Sequence, residues 1–411
     1  MMNNRHQSVF SLAVIVAALG YFVDIYDLLL FSIIRVPSLK SFGLNDAQIA
    51  KDGLFILNVQ MLGLLIGGIL WGVLGDKKGR LKVLFASIIL YSLGNIANGF
   101  VQNVNQYALI RFITGLGLAG ELGAGVTLVT ELLSKEKRGL GTSIISGLGI
   151  AGAVVAFFVN KEFEWRTCYF IGGGLGFILL LLRIGVLESG MFKSIEKANI
   201  SKGNFIMLFT NGKRLKKYLI TILVGLPTWY LIGILISFSK EFGAKMGVQG
   251  TIDPGKAVMY SYAAISVSSL FAGMLSLWLQ SRKKVLYLYY IIMSASVWWF
   301  FSLHDASLFK FYFVTVVVGI GAGFWTIFVT TAAEQFGTNI RATVATTVPN
   351  MVRGSLAVIV TPIFEWLQTK VNYVQAGWIT GIVVIIIGFI AVFMSEETYH
   401  KDLDYIEGAP V

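Results

Sequence analysis

Long apolar runs separated by short polar segments set the plan of this chain. A membrane-crossing helix needs about 20 apolar residues. Runs of that length recur near 9–34, 53–75, 81–101, 107–133, 140–159, 165–187, 217–239, 256–279, 285–303, 308–332, 342–366 and 374–395, twelve in all. Each is about twice as long as a barrel strand and lacks strict alternation, so the pattern predicts α-helices. The start, "MMNNRHQS", is weakly basic. The apolar run after it exceeds the 7–15 residues of a secretory h-region, so it is taken as the first span and not a cleaved signal.

Composition agrees with the pattern. Of the 411 residues 56 % are hydrophobic and 13 % charged, and mean hydropathy is +0.74. That excludes an ordinary soluble domain. The net charge of +11 sits in short segments between apolar runs, as topology charge does, and not in a nucleic-acid-binding patch. With the N-terminus inside, cytoplasmic segments hold about 20 of the 33 basic residues and outer segments about 10. Both termini are therefore expected in the cytoplasm. Short loops without an added domain suggest a multi-pass protein of a bacterial inner membrane. The single Cys168 excludes an intrachain disulfide, and His6, His304 and His400 lie outside the apolar runs, so no metal or haem site is expected.

The chain divides into a six-helix bundle (1–187), a polar linker (188–216) carrying "NGKRLKK", a second six-helix bundle (217–395) and a cytoplasmic tail (396–411). The halves look related. Glu131 and Arg138 recur as Glu334 and Arg341, and Gly120 as Gly323, all at an offset of 203 residues. "GGILWGVLGDKKGRLKVL" has a worn counterpart in "AGMLSLWLQSRKKVL". Such a parallel repeat builds transporters around a midplane site. The expected fold is an all-α membrane protein with twelve helices in two pseudo-symmetric bundles.

Charges inside the apolar runs are the candidate chemistry. Asp24 and Asp27 are the only charges between Val9 and Ile34. Three residues apart on a helix, they share a face with Gly20 and Phe31, and Tyr21 and Tyr26 flank that stripe. Charge at mid-bilayer is costly, so the stripe should face a wet cavity or a partner. Depth counting at 1.5 Å per residue puts Asp24 and Glu121 near the midplane, and lets Arg111 reach the depth of Asp27. The expectation is an Asp27–Arg111 ion pair beside an acidic pair, Asp24 and Glu121. Two carboxylates in a low-dielectric cavity resist double ionisation, so one should hold a proton. Arg353, near the centre of span 11, either binds a substrate carboxylate or pairs with Asp24 or Glu121. Trp229 and Tyr230, which follow Pro227, are expected substrate contacts with Trp325 and Tyr26. Tyr260, Tyr262 and Asn350 are weaker candidates.

Two motifs carry a family resemblance. "GVLGDKKGRLKVL" (Gly72–Leu84) resembles the signature loop of the major facilitator superfamily. "RFITGLGLAGELGAGVTLVTELLSKEKRG" (Arg111–Gly139) resembles span four of the metabolite–proton symporter family, and Asp24, Tyr26 and Asp27 resemble its span-one pattern. The chain departs from that family at Ala119, at Asp24 where Glu is usual, and at Ser134–Lys135 where Ser–Pro is common. The resemblance implies alternating access and proton-coupled symport of a small organic carboxylate or zwitterion, with the proton as coupling ion and no cofactor. It also implies that Asp76, Arg80, Glu131, Arg138, Glu334 and Arg341 form salt bridges closing the cytoplasmic mouth. The alternative is a proton-driven efflux carrier for a drug-like compound or siderophore. Span 5 lacks the Gly-Pro signature of the drug antiporters. A receptor would need a soluble domain, and a membrane enzyme a nucleophile–base or metal constellation; the sequence offers neither. The expected partners are a small-molecule substrate and the lipid bilayer, without nucleic acid, and the expected state is a monomer.

Overall fold

The computed structural model describes residues 10–133, 135–183, 203–402 and 405–407. Much of the expected linker, 188–202, lies outside the described residues. Among the described residues, twelve helices are long and apolar enough to cross a membrane: Leu12–Lys40, Asp46–Lys78, Arg80–Asn98, Val104–Leu132, Lys137–Glu162 and Trp165–Leu182, then Gly212–Ile236, Pro254–Leu279, Arg282–Phe301, Leu308–Glu334, Arg341–Gln368 and Tyr373–Met394. They are called spans 1 to 12.

Several helices outrun the apolar runs that announced them, because their caps lie in the polar flanks. Asn45 and Gln48 close a capping box, so span 2 starts at Asp46 and not near 53. The Asn211 side chain accepts from the backbone of Lys213 and Arg214, so span 7 starts at Gly212, inside the expected linker. Asp253 with Pro254, and Ser281, start spans 8 and 9 in the same way.

Span 1 packs on spans 4, 5 and 6, and span 3 on spans 4 and 6. In the second half span 7 packs on 11 and 12, span 8 on 10, and span 9 on 10 and 12. The two groups meet along spans 2 and 11 and along spans 5 and 8. Gly72 shows how close the first seam is: a Cβ there would stand 2.9 Å from the Thr343 carbonyl oxygen. Spans 1, 4, 7 and 10 are the most deeply buried, whereas spans 3, 6, 9 and 12 turn about half of their faces outward. The large apolar side chains left outside, such as Trp278, Phe309 and Phe393, suit a lipid surround.

The repeat is visible in the backbone. Span 4 breaks between Leu118 and Glu121 at Gly120, and span 10 breaks between Ala322 and Trp325 at Gly323. The freed carbonyl of Ala119 accepts a 2.8 Å hydrogen bond from Asn350 Nδ2 of span 11. Span 7 does not break at Pro227. Its helix continues to Tyr230 and then widens into a π-turn over Leu231–Ile236. Span 11 has a similar π-turn at Leu356–Val360, just after Arg353. Helix irregularities of this kind collect where backbone lines a cavity.

Candidate substrate and coupling site

A narrow cavity of about 20 Å³ lies where the two groups of helices face each other. Its wall includes Tyr21 of span 1, Ile150 of span 5, Trp229 of span 7, Tyr262 of span 8, Trp325 of span 10 and Arg353 of span 11. The volume is room for little more than a water molecule, so a ligand needs the wall to part, and the lining is apolar and aromatic around Arg353. Trp325 Nε1 donates to Tyr21 Oη at 3.0 Å, which ties the two halves together across the cavity.

Among the described residues of that wall Arg353 is the one cation, and it faces Asp24. Their closest atoms, Nη2 and Oδ2, are 3.6 Å apart, and both side chains are at most 1 % exposed. Among the described residues, neither oxygen of Asp24 has a partner at hydrogen-bond geometry. Arg353 Nη1 donates to Asn350 Oδ1 at 3.3 Å, so Asn350 orients the guanidinium between the Ala119 carbonyl and the cavity. The contact is loose: within ion-pair range but without hydrogen-bond geometry. Of the two readings of Arg353, the pair with Asp24 is formed here, on the wall of the cavity that a substrate would occupy.

The remaining expected pairs are corrected. Arg111 reaches Asp27 but donates to its backbone carbonyl at 3.0 Å and, through Nε, to Gln60 Oε1 at 3.2 Å. Arg111 thus leaves the Asp27 carboxylate to the side of Asn95, and Asp27 Oδ1 lies against Gly172 of span 6. Glu121 stays near enough to Asp24 for their charges to interact, but its carboxylate is held from another side. Arg183 takes it in a two-point contact, Nη1 to Oε2 at 3.0 Å and Nη2 to Oε1, packed against Gly20 of span 1. The reason is lateral. Depth counting ranks residues along each helix, but span 6 brings Arg183 from the side. Asp27, Arg111 and Glu121 thus sit inside the first group of helices, and Asp24 alone meets the cavity's cation.

The aromatic candidates divide likewise. Trp229, Trp325 and Tyr262 line the cavity. Tyr230 points away and donates to the Gly377 carbonyl of span 12 at 2.7 Å. Tyr26 donates to the Cys168 carbonyl of span 6 at 3.0 Å, inside the first group. Tyr260 is 38 % exposed and packs on Tyr312. These three are packing residues, placed by a helix phase that sequence spacing alone leaves free.

Both mouths of the seam are shut. On the linker side, Glu131 Oε1 accepts from Arg80 Nη2 at 2.8 Å and from Arg341 Nη1 of the other half at 3.2 Å. Asp76 accepts from the backbone of Ala342 and Thr343 at 3.1 and 2.8 Å, which caps the start of span 11 across the seam. Arg138 donates to the Thr130 carbonyl at 2.9 Å, and Glu334 is held by Arg282 at 2.9 Å and by Thr398 at 2.8 Å. The positive-φ Gly79 (103°) makes the turn that sets Asp76 and Arg80 side by side. On the far side, Arg35 of span 1 donates to Glu241 at 2.9 Å and to the Ser237 carbonyl at 3.2 Å. The cavity thus lies between two clasps.

The sequence pattern of the Major Facilitator Superfamily matches residues 10–362. The chain belongs to that superfamily. It is a membrane transporter of small organic solutes, not an enzyme. A Bacillus subtilis (strain 168) protein named as a niacin/nicotinamide transporter, NiaP, is 24 % identical over 337 residues, covering 80 % of this chain and 81 % of the relative. The benzoate transport protein of Acinetobacter baylyi is 27 % identical over 203 residues, covering 47 % of this chain and 42 % of that one. The crystal structure of the proton:xylose symporter XylE bound to 6-bromo-6-deoxy-D-glucose superposes with a TM-score of 0.73 at 16 % identity, over 96 % of this chain and 97 % of that one. This likeness is one of fold, the major facilitator fold.

Sequence reading missed Tyr21, Gln60, Arg183, Arg35, Glu241 and Arg282 as members of these networks. Arg282 was within reach, since it starts span 9 as Arg80 starts span 3 in the repeat. Arg35 and Glu241 lie at helix ends, where charge reads as topology. Nothing in the linear pattern singles out Gln60.

Proposed function

We propose that this transporter imports a small planar monocarboxylate together with a proton, with the linker side facing the cytoplasm of a bacterial inner membrane. The observation that carries the reading is the loose Arg353–Asp24 pair on the wall of the aromatic cavity. One guanidinium matches one carboxylate in a planar, two-pronged geometry. Trp229, Trp325 and Tyr262 offer flat faces to a ring when the narrow cavity widens to admit one. The names of the relatives for niacin and benzoate agree with that chemistry.

Coupling follows from exchange of partners. A substrate carboxylate that takes Arg353 leaves Asp24 buried without a cation. A buried carboxylate without a partner strongly favours binding a proton, because ionisation there is not repaid by solvent. Substrate and proton therefore bind together and leave together. With the loaded cavity neutral, the halves rock between a state open on the far side and one open on the linker side, each held shut by its clasp. The protein works as a monomer in this scheme.

Uptake of labelled nicotinate, benzoate and xylose into proteoliposomes with an imposed proton gradient tests the reading. The expected result is accumulation of one or both carboxylates, abolished by a protonophore. Accumulation of xylose alone, or carboxylate accumulation indifferent to the protonophore, would overturn it.

A further inference from the structure

At the linker end of span 7 a fixed turn presents apolar side chains outward. Phe205–Leu208 forms a 3-10 turn. Arg214 Nη1 and Thr210 Oγ1 both donate to the Met207 carbonyl, at 2.6 and 3.1 Å, and Phe205 and Phe209 each pack against the Tyr218 ring. Leu208 is buried, but Ile206 is 69 % and Phe209 49 % exposed. A turn held this firmly does not fold those side chains away, so it calls for an apolar surround beside it.

An apolar groove of about 430 Å³ opens next to the turn, between spans 7 and 12. Leu215, Leu219 and Leu223 form one wall and Ile387, Ile390 and Met394 the other. Lys216 stands on the wall of this groove, and Lys213, three residues earlier, shares its helix face. The neighbouring cations are spoken for: Arg214 pairs with Glu407 at 3.3 Å and Lys217 with Glu396 at 3.6 Å. Lys213 and Lys216 have no acidic partner among the described residues. The result is an acyl-sized groove with two free cations on one face and two exposed apolar side chains beside it.

We propose that this end of span 7 is a binding site for an anionic phospholipid. An acyl chain lies in the groove, the headgroup phosphate lies between Lys213 and Lys216, and Ile206 and Phe209 seat in the adjoining headgroup boundary. Basic residues beside an apolar helix end attract anionic lipid, and large apolar side chains on a surface segment anchor in the interface. A lipid that merely fills the groove would show no headgroup preference. Two lysines at the usual strength imply a preference of roughly thirtyfold for an anionic over a zwitterionic headgroup.

The test uses the full-length protein purified in detergent and stripped of lipid. Phosphatidylglycerol, phosphatidylcholine and inorganic phosphate are titrated separately, with melting temperature and bound lipid by native mass spectrometry as readouts. The expected result is tighter binding of phosphatidylglycerol than of phosphatidylcholine and no response to inorganic phosphate. In the double variant K213Q/K216Q the preference should vanish while the phosphatidylcholine response stays, which also shows that the variant is folded. Equal binding of the two lipids by the wild type, a preference kept by the double variant, or an equal response to inorganic phosphate would each overturn the proposal.

Discussion

At the scale of the residue, the account turns on Asp24 and Arg353. They are fully buried, they stand 3.6 Å apart, and Arg353 also lines the cavity. Asp24→Asn leaves the cation permanently free for substrate, so counterflow exchange should continue while accumulation against a gradient is lost; assaying both in the same vesicles checks this. Arg353→Lys keeps the charge but not the planar fork, and should weaken carboxylate binding at least about tenfold, read by titration of the purified protein. The sequence marked both residues, because a charge in an apolar run is conspicuous whatever surrounds it. It offered Asp24 or Glu121 as the partner of Arg353 without choosing, since the choice depends on which helix lies alongside. Asp27 shows the same limit: its depth matched Arg111, yet the guanidinium meets the backbone carbonyl and not the carboxylate.

At the scale of the element, caps and close approaches fix the geometry. The Glu121–Arg183 contact joins the broken span 4 to the end of span 6 against Gly20. Removing one partner of a buried pair typically costs about 3–5 kcal/mol, so Glu121→Gln should lower the melting temperature more than it changes substrate affinity. Gly72→Ala puts a methyl 2.9 Å from the Thr343 carbonyl and should loosen the seam of spans 2 and 11, raising reagent access to the cavity from the linker side. Glu397 caps the start of span 9. Burial pushes its carboxyl up, but hydrogen bonds from Ser281 and from the backbone of Arg282, Tyr399 and Lys283 outweigh this and hold it below its ordinary value of 4.5. A depressed value stabilises the fold above that pH, and the benefit is lost as pH falls through it. Wild type and Glu397→Gln should therefore differ in melting temperature at neutral pH and converge in acid. Span positions were legible from the apolar runs; the caps that lengthen spans 2 and 7 lie in polar flanks that a hydropathy pattern discards.

At the scale of the whole molecule, two clasps hold one cavity closed. The linker-side clasp joins Glu131 to Arg80 and Arg341, and the far-side clasp joins Arg35 to Glu241. A contact present in only some conformations biases the equilibrium by its differential energy, even where it adds little to stability. Glu131→Gln should favour opening on the linker side and Glu241→Gln opening on the far side; the check is opposite changes in labelling of a cavity cysteine on a Cys168→Ser background. The repeat made the first clasp legible, since Glu131 and Arg341 belong to it. The second joins residues outside the repeat and became visible only with the helices assembled.

The most direct measurement of the central claim is proton uptake on substrate binding. Adding a bound carboxylate to unbuffered purified protein should raise the pH by about one proton per site in the wild type, and leave it unchanged in Asp24→Asn. Binding without proton uptake in the wild type, or the same uptake in both proteins, would contradict the exchange of partners at Arg353.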